Sequence, residues 1–326
     1  MEIKILVSGK IPEEYVQRLE KVGRVYMNPE ERPMTRDELL SSLREVQGYL
    51  SMLTDVIDDS LLLAAEHLKI ISNMAVGINN IDLEAATRRG IMVTNTPGVL
   101  TEATAELAFG LLLAAARRIC DLDQRNRKGE WKSWSPLLFL SREVSGKTLG
   151  IVGMGRIGKA VAKRALAFNM KVLYCNRHRL PLEEERSLHV SFSPLDELLS
   201  ISDFVSLHVP LTEETRALIG EEELRRMKKT AYLINTSRGA VVDEKALVRA
   251  LQEGWIEGAG LDVYENEPFL TPGLAEMRNV VLTPHVGSAT YETRWKMAEL
   301  ACENLIAGLK GEIPPYIVNP EVLKGK

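Results

Sequence analysis

The chain has 326 residues, with 41 Lys+Arg against 45 Asp+Glu for a formal charge of −4, 45% hydrophobic and 26% charged residues, and three cysteines. That length implies two domains with a sizeable core, and the composition excludes a disordered or fibrous chain. No long Lys/Arg block offers a grip on nucleic acid, and Cys120, Cys175 and Cys302, odd in number and far apart, define neither a disulfide framework nor a zinc site, so no metal is expected.

The first ten residues, MEIKILVSGK, carry too short an apolar run for a signal peptide. The longest apolar stretch, Ala103 to Ala116, is broken by Glu106 and too short for a bilayer. A cytoplasmic, membrane-free protein is expected. Residues 3–9 read as a strand ending at Gly9, after which Pro12 opens a helix with Val16 and Leu19 turned inward. Residues 49–52, 68–75 and 91–93 read as buried strands, and 35–46, 59–67 and 82–89 as helices. Asp59 and Asp82 stand at N-cap positions and Gly90 at a C-cap. Strands alternating with helices imply a parallel sheet covered on both faces.

Pro97-Gly98 interrupts the pattern, and one long helix is predicted over 101–128 with Thr101 as its cap. A Trp-, Ser- and Pro-bearing loop from Trp131 follows. Strand–helix alternation then resumes, with strands at 148–152, 171–175, 203–207, 231–235, 258–262 and 280–282. An amphipathic helix over 290–309 and an extended Pro314-Pro315 tail complete the chain.

The strand Thr148-Leu-Gly-Ile-Val runs directly into Gly153-Met-Gly155-Arg-Ile-Gly158, which opens a helix with a second strand behind it. That context turns a weak GxGxxG pattern into a dinucleotide-binding signature. Gly153 permits the turn, Gly155 lets backbone approach a pyrophosphate, and Gly158 allows close helix–strand packing. The amides of Arg156 and Ile157 would bind phosphate at the helix N-terminus. Where an NAD enzyme usually carries an acid, this chain has Asn176-Arg177-His178-Arg179. Nothing there repels a 2′-phosphate and two guanidiniums could pair with it, so NADP(H) is favoured, with NAD(H) possible.

Three further segments close apolar strands: Asn235-Thr-Ser-Arg238-Gly239, Asp262 to Glu267-Pro268, and Thr283-Pro-His285. Their side chains fall at the carboxyl edge of one parallel sheet, where ligands bind in open α/β folds. A carboxylate beside an imidazole orients the ring and favours its protonated form, supplying a general acid. An arginine fork suits a substrate carboxylate.

With these motifs in this order, the sequence resembles the D-isomer-specific 2-hydroxyacid dehydrogenases over essentially its whole length. Asn73-Met-Ala-Val-Gly-Ile-Asn-Asn-Ile-Asp82, Val93-Thr-Asn-Thr-Pro97 and Gly260-Leu-Asp-Val263 extend the match. Within the family it is most similar to the glyoxylate/hydroxypyruvate reductases. The resemblance implies NADPH-dependent reduction of a small 2-keto acid, with His285 as the acid, Glu267 as its partner and Arg238 binding substrate. It places Asp262 on the nicotinamide carboxamide, with Thr236, Ser237 and Gly287 also along the cofactor. Backbone at Val76 and Gly77 would take the substrate carboxylate, and Met52 and Leu53 would form a substrate wall. It further implies a Rossmann doubly wound coenzyme domain (99–287) and a discontinuous flavodoxin-like substrate domain (1–98 with 288–326), hinged near Pro97-Gly98 and Gly287. A homodimer through the coenzyme domain would use helix 101–128 and the loop 131–140, with Trp134 reaching the partner's site. Short phosphoglycerate or D-lactate dehydrogenases, and nucleotide-sensing corepressors of the same fold, remain alternatives. Formate dehydrogenases fit less well because they carry Gln where Glu267 stands.

Overall fold

The fold was obtained as a computed structural model describing residues 2–325. It comprises two compact units: residues up to Leu100 together with those from Ala289 onward, and Thr101–Ser288.

The discontinuous unit runs β1 (Lys4–Val7), α1 (Glu13–Glu20), β2 (Arg24–Met27), α2 (Arg36–Leu43), β3 (Gly48–Ser51), α3 (Asp59–Ala64), β4 (Ile70–Asn73), α4 (Leu83–Arg88) and β5 (Met92–Thr94). Its strands form an all-parallel sheet in the order β2-β1-β3-β4-β5, the flavodoxin-like arrangement. Helix starts follow from capping chemistry: Thr35 and Glu38 form a reciprocal capping box on α2, and Asp82 accepts the Ala85 amide on α4. At α3 the expected cap is displaced by one residue. Asp58, not Asp59, accepts the Leu61 amide, because only Asp58 has the extended backbone a cap needs.

The second unit contains α5 (Thr101–Ala116), α6 (Ile119–Arg127), β6 (Thr148–Val152), α7 (Arg156–Ala167), β7 (Lys171–Cys175), α8 (Leu182–Leu188), β8 (Val190–Phe192), α9 (Leu195–Ile201), β9 (Phe204–Leu207), α10 (Glu221–Arg226), β10 (Tyr232–Asn235), α11 (Glu244–Gln252), β11 (Gly258–Leu261) and β12 (Val280–Leu282). The seven parallel strands follow the order β12-β11-β10-β9-β6-β7-β8. This is the doubly wound Rossmann order extended by one strand, and its direction reverses between β6 and β9. Apolar clusters fill both faces. Ala105, Ala108, Leu111 and Leu112 of α5 pack with Val161 and Ala165 of α7 on one side. Leu247 and Leu251 of α11 pack with Leu233 and Leu261 on the other. Each such leucine, fully buried, contributes about 1.5–3 kcal/mol.

The last helix, α12 (Tyr291–Leu309), belongs to the first unit and is capped by Thr290. Its Ala298, Ala301, Cys302 and Leu305 share the core with Ile5, Leu50 and Ile70.

The single helix predicted over 101–128 is two helices. Arg118 adopts a left-handed conformation (φ 55°) between them, and its guanidinium pairs with Asp121, which also takes Arg125. Strands β2 and β8 escaped the sequence reading because both are short edge strands without a continuous apolar run. Among the described residues no helix is long and apolar enough to cross a membrane.

Candidate active site

Because β10, β11 and β12 run parallel with Asn235, Leu261 and Leu282 in register, the segments that follow them emerge at one edge. Just beyond that edge, His285 Nδ1 lies 2.7 Å from Glu267 Oε2. Both side chains are partly exposed. Burial most strongly opposes ionisation of Glu267. It is outweighed by the hydrogen bond and charge of His285, the Tyr264 amide and the Arg238 charge, which together hold the carboxyl below the usual carboxylate range.

His285 is held in a left-handed conformation (φ 52°), unusual for a residue with a side chain. Asp262, 1% exposed, supplies the restraint. Its backbone carbonyl accepts the His285 amide, Oδ1 accepts the Thr283 hydroxyl (2.6 Å) and the Val286 amide (2.8 Å), and Oδ2 accepts the Gly287 amide (2.8 Å). Expected on the cofactor, Asp262 is thus also the post on which the histidine loop is shaped. Gly287 is buried, and its carbonyl accepts from Thr104.

Arg238 follows a turn built by Asn235, whose Nδ2 donates to the Arg238 carbonyl and whose Oδ1 accepts the amide and hydroxyl of Ser237. Burial lowers the guanidinium's pKa and the Glu267 charge opposes that shift, but an arginine stays cationic at any working pH. Gly239 lets this turn meet the Glu267 loop. A Cβ there would lie 1.8 Å from the Tyr264 carbonyl carbon and 2.1 Å from its oxygen.

Several supporting residues carried no sequence signal. Glu244, buried at the start of α11, accepts the Glu265 amide (2.8 Å) and the Thr271 hydroxyl, anchoring the Glu267 loop. The Tyr264 hydroxyl donates to the Thr283 carbonyl (2.9 Å) and so joins the glutamate and histidine loops. Their partners lie 19–27 residues away, beyond any local pattern.

The residues after β6 fit a dinucleotide. Gly153 has φ 101°, and a Cβ on it would strike the His208 backbone. On Gly158 a Cβ would lie 2.3 Å from the Gly153 carbonyl oxygen. Around Gly155 there is open space, as close approach by a pyrophosphate requires. Helix α7 begins at Arg156 without a side-chain cap, so the first-turn amides of Arg156 and Ile157 can receive an anion. Two buried polar atoms just past the ends of β9 and β10, His208 Nδ1 and Thr236 Oγ1, have no protein partner among the described residues. Burial lowers the His208 pKa to about 4, so that ring is neutral.

After β7, Asn176 Oδ1 accepts the Met154 amide (2.7 Å), tying this position to the glycine-rich loop. The expectation that both arginines are available to a phosphate needs correction. Arg179 is engaged in a bidentate pair with Glu185 (2.7 and 2.9 Å), which also accepts from Tyr174. The acid that neutralises it lies six residues further on, in α8. Arg177 and His178 are exposed, and Arg177 makes no hydrogen bond or ion pair among the described residues.

In the other unit, Met52, Leu53, Val76 and Gly77 are partly buried in loops after β3 and β4. The Met52 amide is used internally, by Ser8 and Asp55. The amides of Val76 and Gly77 donate to no protein acceptor among the described residues. Trp131, Trp134, Leu137 and Leu140 are exposed in the loop after α6, Trp134 at 79%.

The profile of the D-isomer specific 2-hydroxyacid dehydrogenase NAD binding domain matches residues 109–287. A glyoxylate reductase of Thermococcus litoralis is 54% identical over 99% of this chain and 98% of its own. One from Korarchaeum cryptofilum is 52% identical over 99% and 98%. Among solved structures, an NADPH-dependent glyoxylate/hydroxypyruvate reductase from Sinorhizobium meliloti, in complex with NADP and malonate, is similar with a TM-score of 0.85. It is 35% identical, with 99% of this chain and 98% of that one covered.

Proposed function

The chain belongs to the D-isomer-specific 2-hydroxyacid dehydrogenase family, and on that premise we propose that it reduces glyoxylate to glycolate, and hydroxypyruvate to D-glycerate, with NADPH. The observation that carries this reading is the 2.7 Å contact between His285 and Glu267 at the carboxyl edge of the dinucleotide-binding sheet. When bound, the reduced nicotinamide supplies a hydride to the substrate's carbonyl carbon. Glu267 holds Nδ1 and fixes the ring, so Nε2 delivers a proton to the carbonyl oxygen, which becomes the product hydroxyl. Arg238 pairs with the substrate and stabilises charge developing on that oxygen. The free amides of Val76 and Gly77 receive the carboxylate, and Met52 and Leu53 line the wall beside it.

The amides of Arg156 and Ile157 take the pyrophosphate, with Thr236, Ser237, Asp262 and Gly287 along the rest of the cofactor. Arg177, with His178 beside it, reads the 2′-phosphate, while Arg179 serves Glu185. The exposed tryptophan loop and helices α5 and α6 form a homodimer contact, which would cover an otherwise open apolar patch. The test is oxidation of NADPH and of NADH by the purified protein with glyoxylate, hydroxypyruvate, pyruvate and phosphohydroxypyruvate. NADPH turnover with the first two supports the reading. Turnover confined to NADH, or to phosphohydroxypyruvate, replaces it with the NAD-using or phosphoglycerate alternative. No turnover with any of them favours a binding protein of the same fold.

A further inference from the structure

We propose that Asp55 is a positioning residue for substrate binding, one that fixes the two loops receiving the substrate without touching it. This rests on the reading of Val76 and Gly77 given above. Asp55 is 2% exposed, and a single oxygen of its carboxylate gathers three donors. Oδ2 accepts from the Ser8 hydroxyl at the end of β1, the Tyr49 hydroxyl in β3 (2.8 Å) and the Met52 amide (2.7 Å). Oδ1 is buried with no protein partner among the described residues. Leaving a buried carboxylate oxygen unsatisfied costs stability, so an arrangement that retains it calls for a reason other than stability. Burial also pushes the Asp55 carboxyl above its usual range, although the three donors pull the other way.

The reason is visible in what Asp55 holds. Its carboxylate pins the Met52 amide, and its backbone carbonyl accepts from Asn80 Nδ2 (3.0 Å), which also reaches the Met52 carbonyl. Asn80 contacts Asn73, whose Oδ1 accepts the Ser51 hydroxyl (3.0 Å) and whose Nδ2 donates to the Gly77 carbonyl (3.0 Å). Asn95 Nδ2 donates to the Val76 carbonyl (2.8 Å). Both carbonyls of the 76–77 segment are therefore tied to side chains while its two amides stay free, the arrangement a carboxylate ligand requires. The Asp55 carboxylate holds the Met52 amide, and the carbonyls of Met52 and Asp55 are joined through Asn80 and Asn73 to that segment, so the 52–55 loop and the 76–77 segment are set together.

Steady-state kinetics on the full chain with NADPH test this. Asp55→Ala raises KM for glyoxylate about tenfold or more, with kcat within about threefold and KM for NADPH within about twofold of wild type. Asp55→Asn keeps an oxygen for the same three donors and restores KM to within about threefold. A merely structural role would reduce melting temperature and active fraction without moving KM. Tyr49→Phe removes one donor without opening a cavity and raises the same KM about two- to fivefold. If Asp55→Ala yields no folded protein, that variant decides alone. The proposal is overturned by an unchanged KM in folded Asp55→Ala, by an equal rise in Asp55→Asn, or by an unchanged KM in Tyr49→Phe. A wild-type protein inactive on every 2-keto acid overturns the functional reading and this inference together. An active wild type with an unmoved KM in the variants overturns the inference alone.

Discussion

Gly239→Ala is the smallest change that tests how the glutamate loop is held. The added Cβ would lie 1.8 Å from the Tyr264 carbonyl carbon, 2.1 Å from its oxygen and 2.3 Å from the Glu265 nitrogen. All three are backbone atoms, so no side chain can swing aside. Ordinary contact begins near 3.4 Å, which requires the loop to retreat by about 1.6 Å. That loop carries Glu267, whose 2.7 Å contact with His285 cannot survive such a shift. A misplacement of about 1 Å in a catalytic constellation costs roughly 100-fold, so kcat/KM for glyoxylate should fall by about that factor. Overpacking against fixed backbone costs about 3 kcal/mol, which for a unit of this size lowers the melting temperature by about 6–12 °C. NADPH oxidation and thermal melting measure both effects. Affinity for NADPH, read by its fluorescence, should change far less than kcat/KM, because the glycine-rich loop follows β6, which is not a neighbour of β10. A variant within about threefold of wild-type kcat/KM and with an unaltered melting temperature would refute the account of how Glu267 is placed.

Three further predictions concern separate parts of the second unit. His285→Ala should reduce kcat by about 100- to 10,000-fold while NADPH binds nearly as before, and a large loss of cofactor affinity instead would reassign the residue. Arg177→Ala should raise KM for NADPH about tenfold without affecting NADH, and Asn176→Asp should shift preference toward NADH; an unmoved NADPH/NADH ratio in both would end the 2′-phosphate argument. For Arg179→Ala the effect should appear in stability rather than specificity. Hydrogen bonds from Arg179 and Tyr174 lower the Glu185 pKa to about 2, below an unfolded value of about 4.3. The pair's stabilisation is therefore complete above the unfolded value and lost as pH falls through about 2. Melting curves of wild type should converge on those of the variant at the acid end of that window, and a constant gap across it would contradict the pairing.

Much of this protein is written in local pattern. Alternating apolar strands and capped helices set the two parallel sheets, because side-chain periodicity and cap chemistry act over a few residues. The strand–GMGRIG–helix passage points to a dinucleotide site for the same reason: a turn, a bare backbone and a helix N-terminus lie within eleven residues of sequence, from Thr148 to Gly158. Arg238, Glu267 and His285 were legible as a set because each closes an apolar strand, and parallel strands share one carboxyl edge.

Other features were decided only by tertiary structure. The break at Arg118 depends on a left-handed residue that apolar periodicity does not mark. Arg177 and Arg179 look equivalent in sequence, yet only the fold of α8 brings Glu185 against Arg179, while among the described residues Arg177 makes no hydrogen bond or ion pair and acts only through its charge on Glu214. Asp262 reads as a cofactor residue, and its task of shaping the histidine loop appears only when that loop folds back onto it from more than twenty residues away. Asp55 is one acid among forty-five acidic residues until Ser8, Tyr49 and Met52 converge on a single oxygen. The physical reason is common to these cases. A side chain's conformation and intrinsic chemistry are local, but what it pairs with is settled by which strands and loops become neighbours, and that information is distributed over the whole chain.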